Sequence, residues 1–180
     1  RSSDLRLPLV TPFTIATGTM YDKLFPLLIL KSDGLEGYGE GVMDPLPVYL
    51  DETLIGSMSL VRDVLLPKVV GQSFENPEDL EQVLIGWRGH YMAKAMVEMA
   101  FWDLWAKSLR LPMKTVLGGL RQAIEVGVSL GITSLEETVT RAEAHQALGY
   151  KRIKLKIMPG HDVEIVKAVR RALPDAHLTV

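Results

Sequence analysis

The 180 residues carry a net charge of −2 and 47% hydrophobic side chains, enough apolar material for one good core or two small ones. That charge leaves no electrostatic footprint for nucleic acid or an anionic membrane, and the absence of cysteine excludes a disulfide framework, thiolate catalysis and thiolate metal sites. The longest apolar runs, such as residues 27–30, are too short to span a bilayer, and with no cysteine a cytoplasmic protein is the default expectation.

Residues 4–10 alternate as a half-buried strand does, and Pro8 points to an edge position. Residues 11–21 mix hydroxyls, a glycine and apolar groups and are expected to form a loop able to act as a lid. Residues 25–31 and 34–42 read as strands around the turn Ser32-Asp33-Gly34, completing a three-stranded antiparallel meander in which Glu40 is half-exposed. A proline-stiffened connection over 43–49 leads to a helix from Asp51 or Glu52 to Leu66, stopped by Pro67. Asn76-Pro77 opens a second helix that runs to about Trp87. The strongest helix spans 92–107. Its Ala93, Met96, Val97, Ala100, Phe101, Leu104 and Trp105 fall at i, i+3, i+4, i+7 spacing, leaving Glu98 and Asp103 as surface or interface charges. Leu117-Gly118-Gly119 makes a flexible joint, and the boundary between a domain of residues 1–116 and one of residues 117–180 is placed there.

Beyond the joint, strands and helices alternate. A strand is expected over 124–132, a helix opened by a Ser134/Glu137 capping box runs to Leu148, and a lysine-rich strand follows Gly149. A helix over 162–173 is closed by Pro174, and a third strand starts at His177. Strand starts recur about every 25 residues, the βα unit of a parallel sheet or barrel. Three strands do not close an eight-stranded barrel, and an edge at Val180 would be bare, so the front part of a longer protein is expected.

On the second of these strands Ile153, Leu155 and Ile157 alternate with Lys154 and Lys156, so the two ammonium groups share one face. In a parallel sheet the residues near the carboxyl end project towards the ligand crevice or barrel mouth, and Lys156 sits at that end. Burial and a neighbouring cation both disfavour a charged lysine; each would lower its pKa and leave neutral amine to act as a general base. A bare Lys-x-Lys is more often the wet face of a strand, and its surroundings decide between the two.

Residues 92–100 with Trp102-Asp103-Leu104, residues 126–132 and residues 149–162 together resemble the enolase superfamily, in its muconate-lactonising subgroup and most closely its o-succinylbenzoate synthase and N-acylamino acid racemase branch. The resemblance implies an α+β capping domain, a three-stranded antiparallel meander plus helices, over residues 1–116. The first βα units of a modified (β/α) barrel would then follow over 117–180. As is usual in that superfamily, it implies Lys156 as a general acid/base beside the α-carbon of a small-molecule carboxylate substrate, with Lys154 setting its electrostatics. It also implies magnesium (or manganese) to grip the carboxylate and stabilise the enediolate. Two loops, at 13–21 and about 43–50, would close the site. Phe13, Ile15, Met20 and Tyr49 would then contact substrate, although such side chains serve local packing as readily. Ser129, on one strand face with Gly127 and Gly131, would either donate to the substrate or satisfy a backbone group. The three metal carboxylates and a second, opposing lysine are expected beyond Val180; Glu40, Asp162, Glu164 and Asp175 are not assigned as ligands.

The implied chemistry is metal-assisted abstraction of an α-proton through an enediolate. It would end in dehydration, as in the o-succinylbenzoate synthases of menaquinone biosynthesis, or in return of the proton to the other face, as in the racemases. Muconate cycloisomerisation and dipeptide epimerisation are the nearest alternatives, and a non-catalytic assembly module is the reading if 180 residues are the whole protein. No nucleic-acid or membrane partner is expected, whereas the likeness implies a homo-oligomer.

Overall fold

The structure, a computed structural model, describes the backbone of residues 2–180 and the side chains from Leu5 onward; Arg1 lies outside the described residues. The chain divides into two compact units, Arg1–Leu7 with Lys23–Leu120 and Pro8–Asp22 with Arg121–Val180. No helix among the described residues is long and apolar enough to cross a membrane.

Strands β1 (Ser2–Ile15), β2 (Gly18–Ser32) and β3 (Leu35–Glu40) form a three-stranded sheet in that order, as the meander reading expects. β2 and β3 pair antiparallel, with Ile29 opposite Tyr38, around a turn in which Asp33 and Gly34 both have positive φ, the geometry a tight hairpin requires. Residues 11–21 are not the expected loop. They form the far end of the β1–β2 hairpin, with only Ala16 and Thr17 turning. The physical reason is their β-branched residues Thr11, Thr14, Ile15 and Thr19, which favour extended chain over an irregular loop.

In the first unit, α1 (Leu54–Leu60) passes through a π-helical turn (Val61–Leu65) into α2 (Leu66–Val69), so Pro67 does not stop the helix as expected. The N–H of Leu66 donates to the Val61 carbonyl, five residues back. The widened turn makes room for the proline ring, and the missing N–H falls in the first turn of the next segment, where it costs little. Helix α3 (Pro77–Ile85) starts with a reciprocal capping box between Asn76 and Asp79. It ends two residues short of the expected Trp87.

Helix α4 (Tyr91–Ser108) is the organiser its periodicity predicts. Ala93, Met96, Val97 and Ala100 are fully buried against Leu28, Val61, Leu65, Leu80 and Leu84. It lies directly on β3, because Gly37 and Gly39 alternate onto the same strand face; a Cβ on Gly39 would overlap the Met96 carbonyl oxygen. Asp103 accepts from the Tyr38 N–H at 2.9 Å and from Lys107 Nζ at 2.6 Å, and Lys107 also donates to the Glu36 carbonyl. The interface charge foreseen at Asp103 thus ties helix to strand. A short helix, α5 (Met113–Val116), follows Pro112.

The residue before α4, His90, is left-handed and makes no side-chain cap. Glu52 does that job from a distance, accepting from the Met92 and Ala93 N–H groups at 2.9 and 3.1 Å while Ser57 Oγ donates to it at 3.2 Å. Two helix amides and a buried hydroxyl would lose their acceptor in Glu52→Ala, so a loss of about 2 kcal/mol is expected, read as a lower midpoint in urea unfolding.

Glu98 on α4 has its pKa raised, first by partial burial and second by Glu81, with Lys94 opposing. A raised carboxyl binds its proton more readily folded than unfolded. Its cost is therefore absent below the ordinary carboxylate range and fully present above the raised value. Glu98→Gln is expected to stabilise the protein at neutral pH, with the gain fading as the pH falls through that range; unfolding midpoints measured against pH check the sign.

In the second unit β4 (Gly127–Leu130), β5 (Arg152–Leu155) and β6 (His177–Thr179) form a parallel sheet in that order, joined through α6 (Leu135–Ala147) and α7 (Asp162–Ala172). This is the βα succession the sequence predicts. β4 is shorter than the expected 124–132, because its pairing with β5 begins only at Gly127 opposite Arg152. Leu130, Ile153 and Leu155 are buried with Ala142, Ile165, Val169 and Leu173 in the layer between sheet and helices. At the start of α6 only half of the capping box forms. Ser134 Oγ accepts from the Glu137 N–H at 3.2 Å, while the Glu137 carboxylate turns to Arg141 at 3.7 Å, an opposite charge one turn along the helix.

Candidate active site

Register brings the chemistry together. Ser129 on β4 is opposite Lys154 on β5, which is opposite Thr179 on β6. Partners in a parallel ladder point to the same side, so hydroxyl, ammonium and hydroxyl form a row on the face away from buried Leu130, Ile153 and Leu155. Lys156 continues that face two residues on. It lies just past the end of β5, its N–H donating to the Leu130 carbonyl at 3.1 Å, which sets it beside Gly131. Lys154 is exposed and Lys156 half-buried. Among the described residues neither ammonium has an acid within ion-pair reach.

The hairpin end of the same unit reaches this strand. Ile132 N–H donates to the Thr14 carbonyl at 2.8 Å, and the Phe13 ring edge lies against Gly131. Of the residues expected to contact substrate, Ser129 and Phe13 are therefore brought to β4 and its end, beside the strand that carries the lysines. Ile15 and Met20 are half-buried on the same hairpin. Tyr49 belongs to the first unit, where it is exposed beside a cavity of about 250 Å³ lined with Lys23, Asp44, Glu52 and Met92.

Two residues of this site escape a reading of the sequence. Thr179 joins the row only through the β5–β6 register, and the purpose of Gly131 appears only once the hairpin is seen against it. Period-2 alternation puts Gly131 on the face of Ser129, the one signal available in advance.

The row is built of ammonium and hydroxyl groups, which repel or weakly hold a hard divalent cation, whereas magnesium takes carboxylate oxygens. Among the described residues no three Asp, Glu, His or Cys side chains come together as a metal site. Asp162 and Glu164 are engaged on α7, with the Val163 N–H and Lys167. The residues present do not fit magnesium. What they fit is an anion: cations and hydroxyls along one face can hold a carboxylate, and a half-buried amine can exchange a proton with it.

Residues 3–118 match the mandelate racemase / muconate lactonizing enzyme N-terminal domain. An N-succinylamino acid racemase of Thermus thermophilus is 53% identical over 176 residues, covering 97% of this chain and 48% of the relative. An o-succinylbenzoate synthase of Geobacillus kaustophilus is 39% identical, covering 97% and 47%. The crystal structure of an enolase-superfamily member from Listeria innocua superposes with a TM-score of 0.91 at 34% identity, over 98% of this chain and 48% of that one. A dipeptide epimerase from Enterococcus faecalis, solved with Mg and the dipeptide L-Leu-L-Tyr, gives 0.86 at 28% identity, over 99% and 51%. The chain spans about half the length of the curated relatives it matches. With a capping-type sheet and helices followed by parallel βα units, and with the matched domain covering most of its length, the chain belongs to the mandelate racemase / muconate lactonizing enzyme family of the enolase superfamily.

Proposed function

We propose that this chain supplies the capping domain, residues 1–116, and the first βα units of the barrel with their lysine-bearing strand, residues 117–180, of an enzyme that removes the α-proton of a carboxylate substrate. The observation that carries the reading is the row Ser129–Lys154–Thr179 with Lys156 at its open end. The neutral amine of Lys156 takes the proton: the Cα–H bond breaks, an N–H bond forms, and the electron pair passes into the carboxylate to give an enediolate. The Lys154 ammonium, on the same face, stabilises the second negative charge as it grows. Ser129 donates to the substrate carboxylate, Phe13 meets its apolar part, and Ile15 and Met20 on the same hairpin complete the contacts.

From the enediolate two outcomes are open. A proton returned to the opposite face inverts the centre, as the name of the Thermus relative describes. Loss of a β-hydroxide as water gives dehydration instead, the chemistry suggested by the synthase relative. At 53% against 39% identity, N-succinylamino acid racemisation is the first reading. The carboxylates for magnesium or manganese are assigned outside residues 1–180, since those described do not fit the ion. We place the enzyme in the cytoplasm as a homo-oligomer acting on a small molecule, with no nucleic-acid or membrane partner.

The test is product analysis with the full gene product and magnesium. An N-succinyl-L-amino acid should yield its D enantiomer on chiral chromatography, and a β-hydroxy carboxylate able to dehydrate should develop conjugated absorbance. Failure of both would overturn the reading.

A further inference from the structure

We infer that Gly131 is a positioning residue that seats the end of the β1–β2 hairpin and so sets the place of Phe13 beside the lysine-bearing strand. The inference rests on the proposed function only for its kinetic consequence.

Gly131 is buried although it has no side chain to pack. A Cβ built there would lie 3.2 Å from both the backbone nitrogen and the carbonyl oxygen of Thr14, and 3.3 Å from Phe13 Cδ2. Backbone atoms cannot swing aside as the tip of a flexible side chain can, so the hairpin comes this close only because residue 131 ends at its hydrogen. The approach is then fastened by the 2.8 Å hydrogen bond from Ile132 N–H to the Thr14 carbonyl. Thr14 is in turn joined across the hairpin to Thr19, hydroxyl to hydroxyl at 2.9 Å, which links the seat to the second arm. Both arms are paired strand up to the two-residue turn at Ala16 and Thr17.

Gly131 is also the neighbour of Lys156, whose N–H reaches Leu130 across the same strand pair. The separation between the Phe13 wall and the proposed base is therefore fixed by backbone contacts through Phe13, Thr14, Gly131 and Ile132. A side chain at 131 would meet the Thr14 backbone and the Phe13 ring first, the atoms nearest a built Cβ, and would push the wall outward. It would alter how well the apolar part of a substrate is held more than it alters proton transfer.

The experiment uses the full gene product with Gly131→Ala and Gly131→Val. Two quantities are read: hydrogen exchange at the Ile132 amide, and kcat and KM for N-succinyl-L-phenylalanine. With the hydrogen bond to Thr14 weakened, Ile132 is expected to exchange about five- to tenfold faster in the valine variant, with alanine in between. KM should rise in the same order and by a larger factor than kcat falls. Ile132 exchange unchanged in both variants, or faster exchange with KM unchanged, would overturn the inference. If the valine variant does not fold, the single methyl of the alanine variant decides. If the wild-type protein turns over no substrate, the proposed function fails, and Ile132 exchange still decides whether Gly131 seats the hairpin.

Discussion

Lys156→Ala is expected to lower α-proton exchange by about a thousandfold, within the range of about 10² to 10⁴ that a positioned general acid/base contributes. Lys156 lies past the end of β5, half-buried and outside the core of the second unit, so its truncation should leave stability within about 0.5 kcal/mol. The loss would then be chemical and not structural. Lys156→Arg should be almost as damaging, because a guanidinium stays protonated and cannot accept the proton, although it preserves the charge. Lys154→Ala should cost less than Lys156→Ala, since Lys154 acts on the developing charge without taking the proton. Steady-state rates of deuterium incorporation for the three variants check this ranking. Full activity in Lys156→Ala would remove the assignment of the base.

Gly39→Ala is expected to destabilise the first unit by about 3 kcal/mol, the upper part of the range for overpacking a core. The added methyl would overlap the Met96 carbonyl oxygen and meet the Ala100 nitrogen at 2.9 Å and Ala100 Cβ at 3.1 Å. Two of the three are backbone atoms in the middle of α4, so relief requires the whole helix to retreat from β3. The layer that Met96, Val97 and Ala100 share with Leu28 would open with it. Gly37→Ala should behave alike, its methyl overlapping the Ala100 carbonyl oxygen. Gly86 provides the control: it has an ordinary helical φ of −63° and nothing within 4 Å of a built Cβ, so Gly86→Ala should be nearly neutral. Urea unfolding midpoints separate the cases, and a loss below about 1 kcal/mol in Gly39→Ala would contradict the close contact.

Some of this architecture is legible because a single segment carries its own period. The stripe from Ala93 to Trp105 specifies α4, and the alternation from Ile153 to Lys156 specifies both the strand and the shared face of the lysines. The glycines of β3 are legible as a strand and not as a cradle, because nothing local to residues 35–40 names the helix that lies on them. Pro67 misleads for a different reason. Proline breaks a helix through its clash with the carbonyl four residues back, and a π-helical turn removes that condition. Residues 11–21 mislead because hydroxyls suggest a loop, while their β-branched carbon atoms favour strand. At the site, Lys154, Lys156 and Ser129 could be placed on one face from alternation alone. Thr179 needed the register of a third strand, and the pairing of Phe13 with Gly131 needed a contact between residues more than a hundred positions apart.

The most direct test of the central claim is the α-proton signal of an N-succinyl-L-amino acid, followed by NMR in D₂O with the full gene product and magnesium. Disappearance of that signal, with Lys156→Ala slower by the factor given above, is the predicted result. A signal that persists undiminished with folded wild-type protein would contradict proton abstraction as the work of this site.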